Sequence, residues 1–164
     1  MVKVTGAETS ADPWMRPERG GARKALQVFR STHRQLPKMP TEPDQRLEHR
    51  SVLVIDDEEN FLTLIRWFLS QRGFDICTAS SAEEALAIVQ KRAFDIALLD
   101  IRLGAADGLS FLDELMDRTP QTKVVMMTAY PTVSTIKQAF AKGVSRYLTK
   151  PLDLQALCDA LQAL

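Results

Sequence analysis

Five short, largely apolar runs alternate with five amphipathic segments between residue 51 and the last residue of the chain. Short runs of this kind are typical of strands that a sheet buries on both faces. The predicted strands are residues 52–55, 74–79, 95–99, 123–127 and 146–149. After each of them, apolar residues return at helical spacing. This strict alternation predicts an α/β fold, with a parallel sheet and helices on both of its faces.

Chemically active side chains follow four of the five predicted strands. They are Asp56 and Asp57 after the first strand, Asp100 after the third, Thr128 after the fourth and Lys150 after the fifth, with Ala129 following Thr128 and Pro151 following Lys150. Because the carboxyl ends of parallel strands meet at one edge of a sheet, we expect these residues to lie close together. The sequence therefore predicts a site with three carboxylates, one hydroxyl and one ammonium group.

The three carboxylates indicate a metal site. Crowded carboxylates repel one another and are costly to desolvate, and a hard divalent cation compensates them. Mg²⁺ (or Mn²⁺) prefers oxygen ligands and commonly binds one or two carboxylates together with a phosphate oxygen. Asp100 is then the candidate nucleophile, because a carboxylate can accept a phosphoryl group. Lys150 and Thr128 would stabilise the charge on the phosphoryl oxygens.

These residues occur within four fragments, VLVIDDEEN, IALLDIRLGAADGLSFL, VVMMTAY and GVSRYLTKPLD. In order and spacing the fragments resemble the receiver domain of bacterial two-component response regulators. The resemblance covers residues 51–164 and implies a flavodoxin-like (βα)5 fold with a five-stranded parallel sheet of order 2-1-3-4-5. It also implies a phosphoprotein that works as a signal-transduction switch in a two-component phosphorelay, and not an enzyme.

The resemblance assigns roles at the metal site. Asp100 would be the phosphoacceptor. Asp57 and Asp100 would bind Mg²⁺ directly, with the backbone carbonyl of Arg102 as a further ligand, and Asp56 would act mainly through bound water. The loop that follows departs from the family pattern, since Gly104 stands where a proline is usual, and we expect a more flexible loop there.

The resemblance also assigns roles in the response to phosphorylation. Thr128, with Ala129 beside it, would turn towards the phosphoryl group, and Tyr147 would follow from an exposed to a buried rotamer. Lys150 would form an ion pair with the phosphoryl group, and the Lys150–Pro151 peptide bond would be cis.

Two large side chains flank the expected phosphoryl site at positions that tune dephosphorylation in the family. They are Arg102, two residues after Asp100, and Tyr130, two residues after Thr128. We expect their bulk to hinder an attacking water molecule and to lengthen the lifetime of the phosphorylated protein.

A histidine kinase or a histidine phosphotransfer protein is the expected donor, docking on the first helix near Asn60 and Phe61. A homodimer through the fourth helix, the fifth strand and the fifth helix is a further expectation. The domain would either signal alone through protein contacts or form the N-terminal regulatory part of a longer response regulator that controls transcription.

Two rival functions have less support. A Mg²⁺-dependent aspartyl phosphohydrolase normally needs an acid/base carboxylate where Arg102 stands, and a substrate-covering insertion that has no counterpart here. A degenerate receiver that serves only as an interaction module would not keep the complete set of three acids, a threonine and a lysine at the strand ends.

Residues 1–50 differ in composition from the rest of the chain. They hold five of the eight prolines, and ten Lys and Arg against six Asp and Glu, so that their net charge of +4 offsets −4 in the remainder. This composition predicts a basic, mostly disordered extension and linker ahead of a receiver domain at residues 51–164. Within the extension, residues 22–36 are compatible with a basic amphipathic helix.

Charge and hydropathy argue against several classes of protein. Lys and Arg equal Asp and Glu at 21 each, which disfavours nucleic-acid or membrane binding through bulk charge, and residues 51–164 carry no nucleic-acid-binding motif. No apolar run reaches transmembrane length. The two cysteines, Cys77 and Cys158, fit neither a disulfide framework nor a metal site. We expect a cytoplasmic protein.

Overall fold

A five-stranded parallel sheet forms the centre of the protein in a computed structural model, which describes residues 50–104 and 106–164. The strands in chain order are β1 (Ser51–Ile55), β2 (Asp75–Ala79), β3 (Ile96–Asp100), β4 (Arg102–Leu103), β5 (Ala106–Asp107), β6 (Lys123–Thr128) and β7 (Arg146–Thr149). β4 and β5 pair with each other, apart from the main sheet. The predicted extension at residues 1–50 lies, except for Arg50, outside the described residues.

The helices of the described residues are α1 (Glu59–Ser70), α2 (Ala82–Val89), α3 (Gly108–Arg118), α4 (Val133–Ala141) and α5 (Leu154–Gln162). The main sheet has the order β2-β1-β3-β6-β7, and all neighbouring strands are parallel. This confirms the predicted (βα)5 fold and strand order. The chain leaves β1 towards β2 on one side and returns to β3 on the other, so the crevice between the carboxyl ends of β1 and β3 is the topological switch point.

Both faces of the sheet are covered. Val52 and Val54 of β1 belong to a core cluster that includes residues of α1 and α5, whereas Leu53 and Ile55 belong to a second cluster on the side of α2, α3 and α4. β3 is buried along its whole length. Burial on both faces explains why these strands appear in the sequence as continuous apolar runs, and why their polar residues come only at the ends.

Side-chain caps fix where the helices begin beyond the strand ends. The side chain of Ser81 accepts a hydrogen bond from the N–H of Glu84 at the start of α2. Thr132 and Thr135 form a reciprocal capping box at the start of α4, and Asp153 accepts two N–H groups at the start of α5. These bonds satisfy N–H groups that the first turn of a helix leaves unpaired.

The apolar residues of α4 do not all face the core. The helical spacing of Val133, Ile136 and Phe140 predicts a helix, and α4 confirms it, but Ala139 is the one buried residue of this helix. Val133 is 71% exposed and Phe140 is 50% exposed. Together with Tyr130, in the loop before α4, they are the exposed large hydrophobic side chains of the described residues. We call Tyr130, Val133 and Phe140 the α4 apolar surface.

The loop between β3 and α3 contains the β4–β5 hairpin, which the sequence pattern does not predict. Gly104 lies in it with a φ of 58°, in the left-handed region that favours glycine. The N–H of Gly104 donates to the Oδ2 atom of Asp57 at 3.0 Å. The residue at which the loop departs from the family pattern is therefore hydrogen-bonded to one of the predicted site acids.

Gly108 lies too close to the end of β3 to accept a side chain. Its N–H donates to the carbonyl oxygen of Ile101 at 2.7 Å, and a Cβ atom there would lie 2.3 Å from the carbonyl oxygen of Asp100. We expect Gly108→Ala to lower the free energy of unfolding, measured with urea, by about 2 kcal/mol or more, because the backbone behind Asp100 must shift. Ser110→Ala, at an exposed position of the same helix, is the control and should cost less than about 0.5 kcal/mol. Equal stability of Gly108→Ala and the unchanged protein would contradict the close approach.

Candidate functional site

Three carboxylates meet where β1 and β3 end. Asp56 and Asp57 follow β1, Asp100 is the last residue of β3, and one oxygen from each lies within 4.8 Å of the others. Asp56 is fully buried, Asp100 is 6% exposed and Asp57 is exposed. The structure thus brings together the three acids that the strand ends predict, and we call them the acidic cluster.

Local turns hold the polar side chains at the strand ends. In three places the backbone N–H group two residues later donates to the side chain, from Glu58 to Asp56, from Arg102 to Asp100 and from Tyr130 to Thr128, each at 3.1 Å. Asp and Thr commonly form such turns, in which the side chain takes the place of a backbone acceptor. The turns fix two of the acids and the hydroxyl close to the backbone at this edge of the sheet.

Lys150 joins two of the acids. Its ammonium group donates to the Oδ2 atom of Asp56 at 2.5 Å and to the Oδ2 atom of Asp100, and its side chain is 15% exposed. Burial alone would lower the pKa of Lys150, but the hydrogen bonds to Asp100 and Asp56 outweigh it and raise that pKa above its usual value. The ammonium group therefore stays charged and offsets part of the repulsion within the acidic cluster.

Burial has a different consequence for Asp56. Loss of contact with water raises the pKa of Asp56 from 3.8 to about 6, although the hydrogen bonds from Lys150 and from the N–H of Glu58 lower it in part. The charged form of Asp56 is therefore costly in the folded protein, and a second cation beside it would reduce this cost.

The donor set fits a divalent cation such as Mg²⁺. Its three oxygens are hard ligands of the type that this ion prefers. Asp57 is exposed, so an ion bound there could keep several water ligands, as Mg²⁺ usually does in proteins.

Thr128 and Lys150 are joined through the backbone. Thr128 is the last residue of β6 and is 2% exposed, and its carbonyl oxygen accepts the N–H of Lys150 at 2.7 Å. This bond holds the ends of β6 and β7 together beside the acidic cluster. Ala129 follows Thr128 and is exposed, and the Lys150–Pro151 peptide bond is cis.

Tyr147 connects β7 to the start of α4. It is half-buried, and its hydroxyl group shares a hydrogen bond with the hydroxyl group of Thr135 at 3.1 Å. Thr135 in turn forms the capping box with Thr132. Thr135 is absent from the residues predicted from the sequence, because the usual capping signal has Glu or Gln three residues after the N-cap residue, and Thr stands there in this chain.

Arg102 and Tyr130 form a contact above the loops that follow β3 and β6. The guanidinium carbon of Arg102 lies 4.8 Å from the centroid of the Tyr130 ring, which is the geometry of a cation–π contact. Both residues are exposed, Tyr130 at 67%. The two side chains predicted to flank the site therefore touch each other.

A second aromatic contact involves Phe61 of α1, which is half-buried. The Nζ atom of Lys150 lies 4.5 Å from the centroid of the Phe61 ring. The sequence gives no signal of this contact, because Phe61 has the same spacing as the other apolar residues of α1, and the contact depends on how α1 packs beside the end of β7.

The fold and the acidic cluster match a known family. The family model of the response regulator receiver domain matches residues 52–162. The chain belongs to this family. Receiver domains of response regulators are phosphorylation-operated switches in two-component signal transduction.

Two curated relatives of this receiver domain are regulatory proteins. The photosynthetic apparatus regulatory protein RegA of Rhodobacter capsulatus is 36% identical over 114 residues, which are 70% of this chain and 62% of RegA. The alginate biosynthesis transcriptional regulatory protein AlgB of Pseudomonas aeruginosa is 39% identical over 100 residues, 61% of this chain and 22% of AlgB. The chain therefore spans less than two thirds of RegA and less than a quarter of AlgB.

A solved structure is similar to this receiver domain as well. It is a response regulator from Burkholderia pseudomallei with a phosphorylated aspartic acid, a calcium ion and citrate. Its TM-score is 0.65 and its identity 32%, and the match covers 68% of this chain and 66% of that one. Within the described residues, none of the helices is long and apolar enough to cross a membrane.

Asparagine in place of Asp56 tests the cost of its buried charge. The pKa of Asp56 rises from 3.8 to about 6 on folding, so the folded state binds more protons between these values, and the charge costs stability above them. We expect Asp56→Asn, without metal ion, to raise the free energy of unfolding by about 1 to 2 kcal/mol at pH 7.5, a gain that disappears as the pH falls from 6 to 4. Urea unfolding of the variant and of the unchanged protein, at pH values from 4 to 7.5, measures this difference in free energy. Asp117→Asn, at an exposed position, should show no such gain, and a loss of stability in Asp56→Asn at pH 7.5 would contradict the prediction.

Proposed function

We propose that this receiver domain accepts a phosphoryl group on Asp100 from the phosphohistidine of a histidine kinase or a histidine phosphotransfer protein. A carboxylate oxygen of Asp100 would attack the phosphorus atom, the bond from phosphorus to the imidazole nitrogen would break, and its electron pair would stay on the imidazole. The observation that carries this proposal is the double hydrogen bond of Lys150 to Asp56 and Asp100. It leaves a charged donor beside the nucleophile, where the phosphoryl oxygens would arrive.

Asp57 and Asp100 would hold Mg²⁺ (or Mn²⁺) together with the backbone carbonyl of Arg102, and Asp56 would contribute through a bound water molecule. A divalent ion in such a site neutralises charge on the transferred phosphoryl group. Support comes from the three carboxylate oxygens within 4.8 Å of one another. The Burkholderia pseudomallei response regulator, which was solved with a phosphorylated aspartic acid and a calcium ion, also supports it.

Lys150 and Thr128 would bind the phosphoryl oxygens. The ammonium group of Lys150 would move its hydrogen bond from Asp100 to a phosphoryl oxygen, a shift that needs little displacement because the two groups are already in contact. The hydroxyl group of Thr128, at the end of the neighbouring strand and with Ala129 beside it, would donate to another oxygen. In the present arrangement this hydroxyl oxygen accepts the N–H of Tyr130.

The signal would leave the site through α4. A Tyr147 side chain that turned inwards after Thr128 would lose its hydrogen bond to Thr135, in the first turn of that helix. Val133 and Phe140 of the α4 apolar surface lie on the same helix, and both expose large side chains to solvent. Such a surface favours a protein contact, and we infer that it contributes to a homodimer through α4, β7 and α5.

The whole protein would be a longer response regulator that controls transcription, as AlgB is a transcriptional regulatory protein. Residues 51–164 would form the receiver, without direct contact to nucleic acid, and residues 1–50 an extension and linker. The receiver would not be an enzyme with substrate turnover, because the exposed Arg102 stands where an aspartyl phosphohydrolase would need its second carboxylate. We place the protein in the cytoplasm.

Intact-protein mass spectrometry tests the phosphoacceptor. With acetyl phosphate and Mg²⁺, the full chain should gain the mass of one phosphoryl group, whereas Asp100→Asn should gain none because an amide cannot form the acyl phosphate. Asp117→Asn, outside the acidic cluster, is the matched control and should gain the same mass as the unchanged chain. Absence of a mass gain on the unchanged chain would overturn the proposed function.

The Arg102–Tyr130 contact predicts a long-lived acyl phosphate. Removing either side chain should admit water to the phosphoryl group, so Arg102→Ala and Tyr130→Ala should each speed hydrolysis by about threefold to tenfold, a change of up to about 1.4 kcal/mol in the barrier. The decay of the phosphorylated mass after removal of the donor measures this. Val133→Ala, on the same surface but outside the contact, should decay like the unchanged chain. A half-life on the order of seconds in the unchanged chain would contradict the shielding role.

A further inference from the structure

The ammonium group of Lys150 contacts three side chains, which are two carboxylates and one aromatic ring. It donates to the carboxylates of Asp56 and Asp100, and it lies 4.5 Å from the centroid of the Phe61 ring. The two carboxylates are also the groups that a divalent cation would engage, whereas the aromatic ring is not a ligand of such a cation. The three partners therefore respond differently to a metal ion.

A bound divalent ion weakens the hold of the acidic cluster on Lys150. It offsets the negative charge of the same carboxylates and repels the ammonium group at short range. The Phe61 ring keeps its attraction, because a cation–π contact depends on the ring quadrupole and gains strength where water is excluded. Phe61 thus supplies a larger share of the attraction at the moment when Lys150 has to meet the incoming phosphoryl oxygen.

We propose that Phe61 is a positioning residue that holds the Lys150 ammonium group at the phosphoryl site when the acidic cluster is occupied by a metal ion, an inference that rests on the proposed function. Without the ring, the flexible four-carbon stem of Lys150 would let the ammonium group move away from the ion towards solvent. Metal binding would then be unhindered or tighter, while transfer to Asp100 would slow.

A packing role for Phe61 predicts something else. Phe61 is half-buried against the cluster formed with α1 and α5, so a loosened core would weaken metal binding and phosphorylation together. Trp67 offers a matched control, because it lies on the same helix and packs against the same cluster. The two roles therefore separate when both quantities are measured on the same variants.

The experiment uses the full chain with Phe61→Leu, Phe61→Tyr and Trp67→Leu. Calorimetric titration with Mg²⁺ gives the metal affinity, and mass spectrometry gives the rate of phosphorylation by acetyl phosphate at saturating Mg²⁺. Acetyl phosphate is a small donor, so the measured rate does not depend on kinase docking near Asn60 and Phe61. We expect Phe61→Leu to slow phosphorylation by about threefold to tenfold while its Mg²⁺ affinity is equal or higher. Phe61→Tyr, which keeps the aromatic face, should restore the rate, and Trp67→Leu should not change it.

A fourth variant guards against a defect in folding. Pentafluorophenylalanine at position 61 keeps the shape of the side chain but reverses the sign of the ring quadrupole, so it should slow phosphorylation as Phe61→Leu does. An unchanged rate in Phe61→Leu or in the fluorinated protein would overturn the inference, as would a parallel fall of metal affinity and rate. If either result were found while the unchanged chain still became phosphorylated, the proposed function would stand. Failure of the unchanged chain to gain mass would overturn both the inference and the proposed function.

Discussion

The arrangement of side chains at the carboxyl edge of the sheet depends on the hydrogen bonds of Lys150 to two carboxylates. Asp56 is fully buried and Asp100 is nearly so. Their two carboxylates lie close together and repel each other strongly in a medium of low polarity. The ammonium group between them makes the arrangement tolerable without a metal ion. Compensation is incomplete, because burial still raises the pKa of Asp56. The resting site thus holds excess negative charge, and a second cation can reduce it.

The fold places this charge at the edge because the two strands that carry the acids, β1 and β3, have little room for polar groups elsewhere. β3 is buried along its length, and both faces of β1 pack against helices. In β1 and β3, polar side chains therefore occur where the strand begins or ends. The turns themselves supply the first hydrogen bonds, since N–H groups two residues later donate to Asp56, Asp100 and Thr128. Gly108 completes the edge by allowing α3 to start in contact with the backbone of Asp100.

The same constraint explains what could be predicted from the sequence. All carboxyl ends of a parallel sheet lie at one edge, so a residue that follows a buried strand in the sequence must lie at that edge in the fold. Asp56, Asp100 and Lys150 could therefore be assigned to one edge. Contacts between elements could not, because the pairing of Phe61 with Lys150 depends on the rotation of α1 about its axis. The two-residue strands of the β4–β5 hairpin are too short to show a periodicity. For α4, helical spacing predicts the helix but not that its apolar residues face solvent, since the spacing does not say what covers a face.

The site and the α4 apolar surface are joined by one pair of strands. β6 ends with Thr128, and β7 carries Tyr147 opposite Met126 of β6. The N–H of Lys150 donates to the carbonyl oxygen of Thr128, so a movement of Thr128 acts on the strand that carries Tyr147. The hydroxyl group of Tyr147 is bonded to Thr135, whose own hydroxyl group completes the α4 capping box. A rotamer change at Tyr147 would therefore break its hydrogen bond to Thr135, which caps α4. A change of charge at the site would then alter the first turn of α4 and, with it, the exposed surface of that helix.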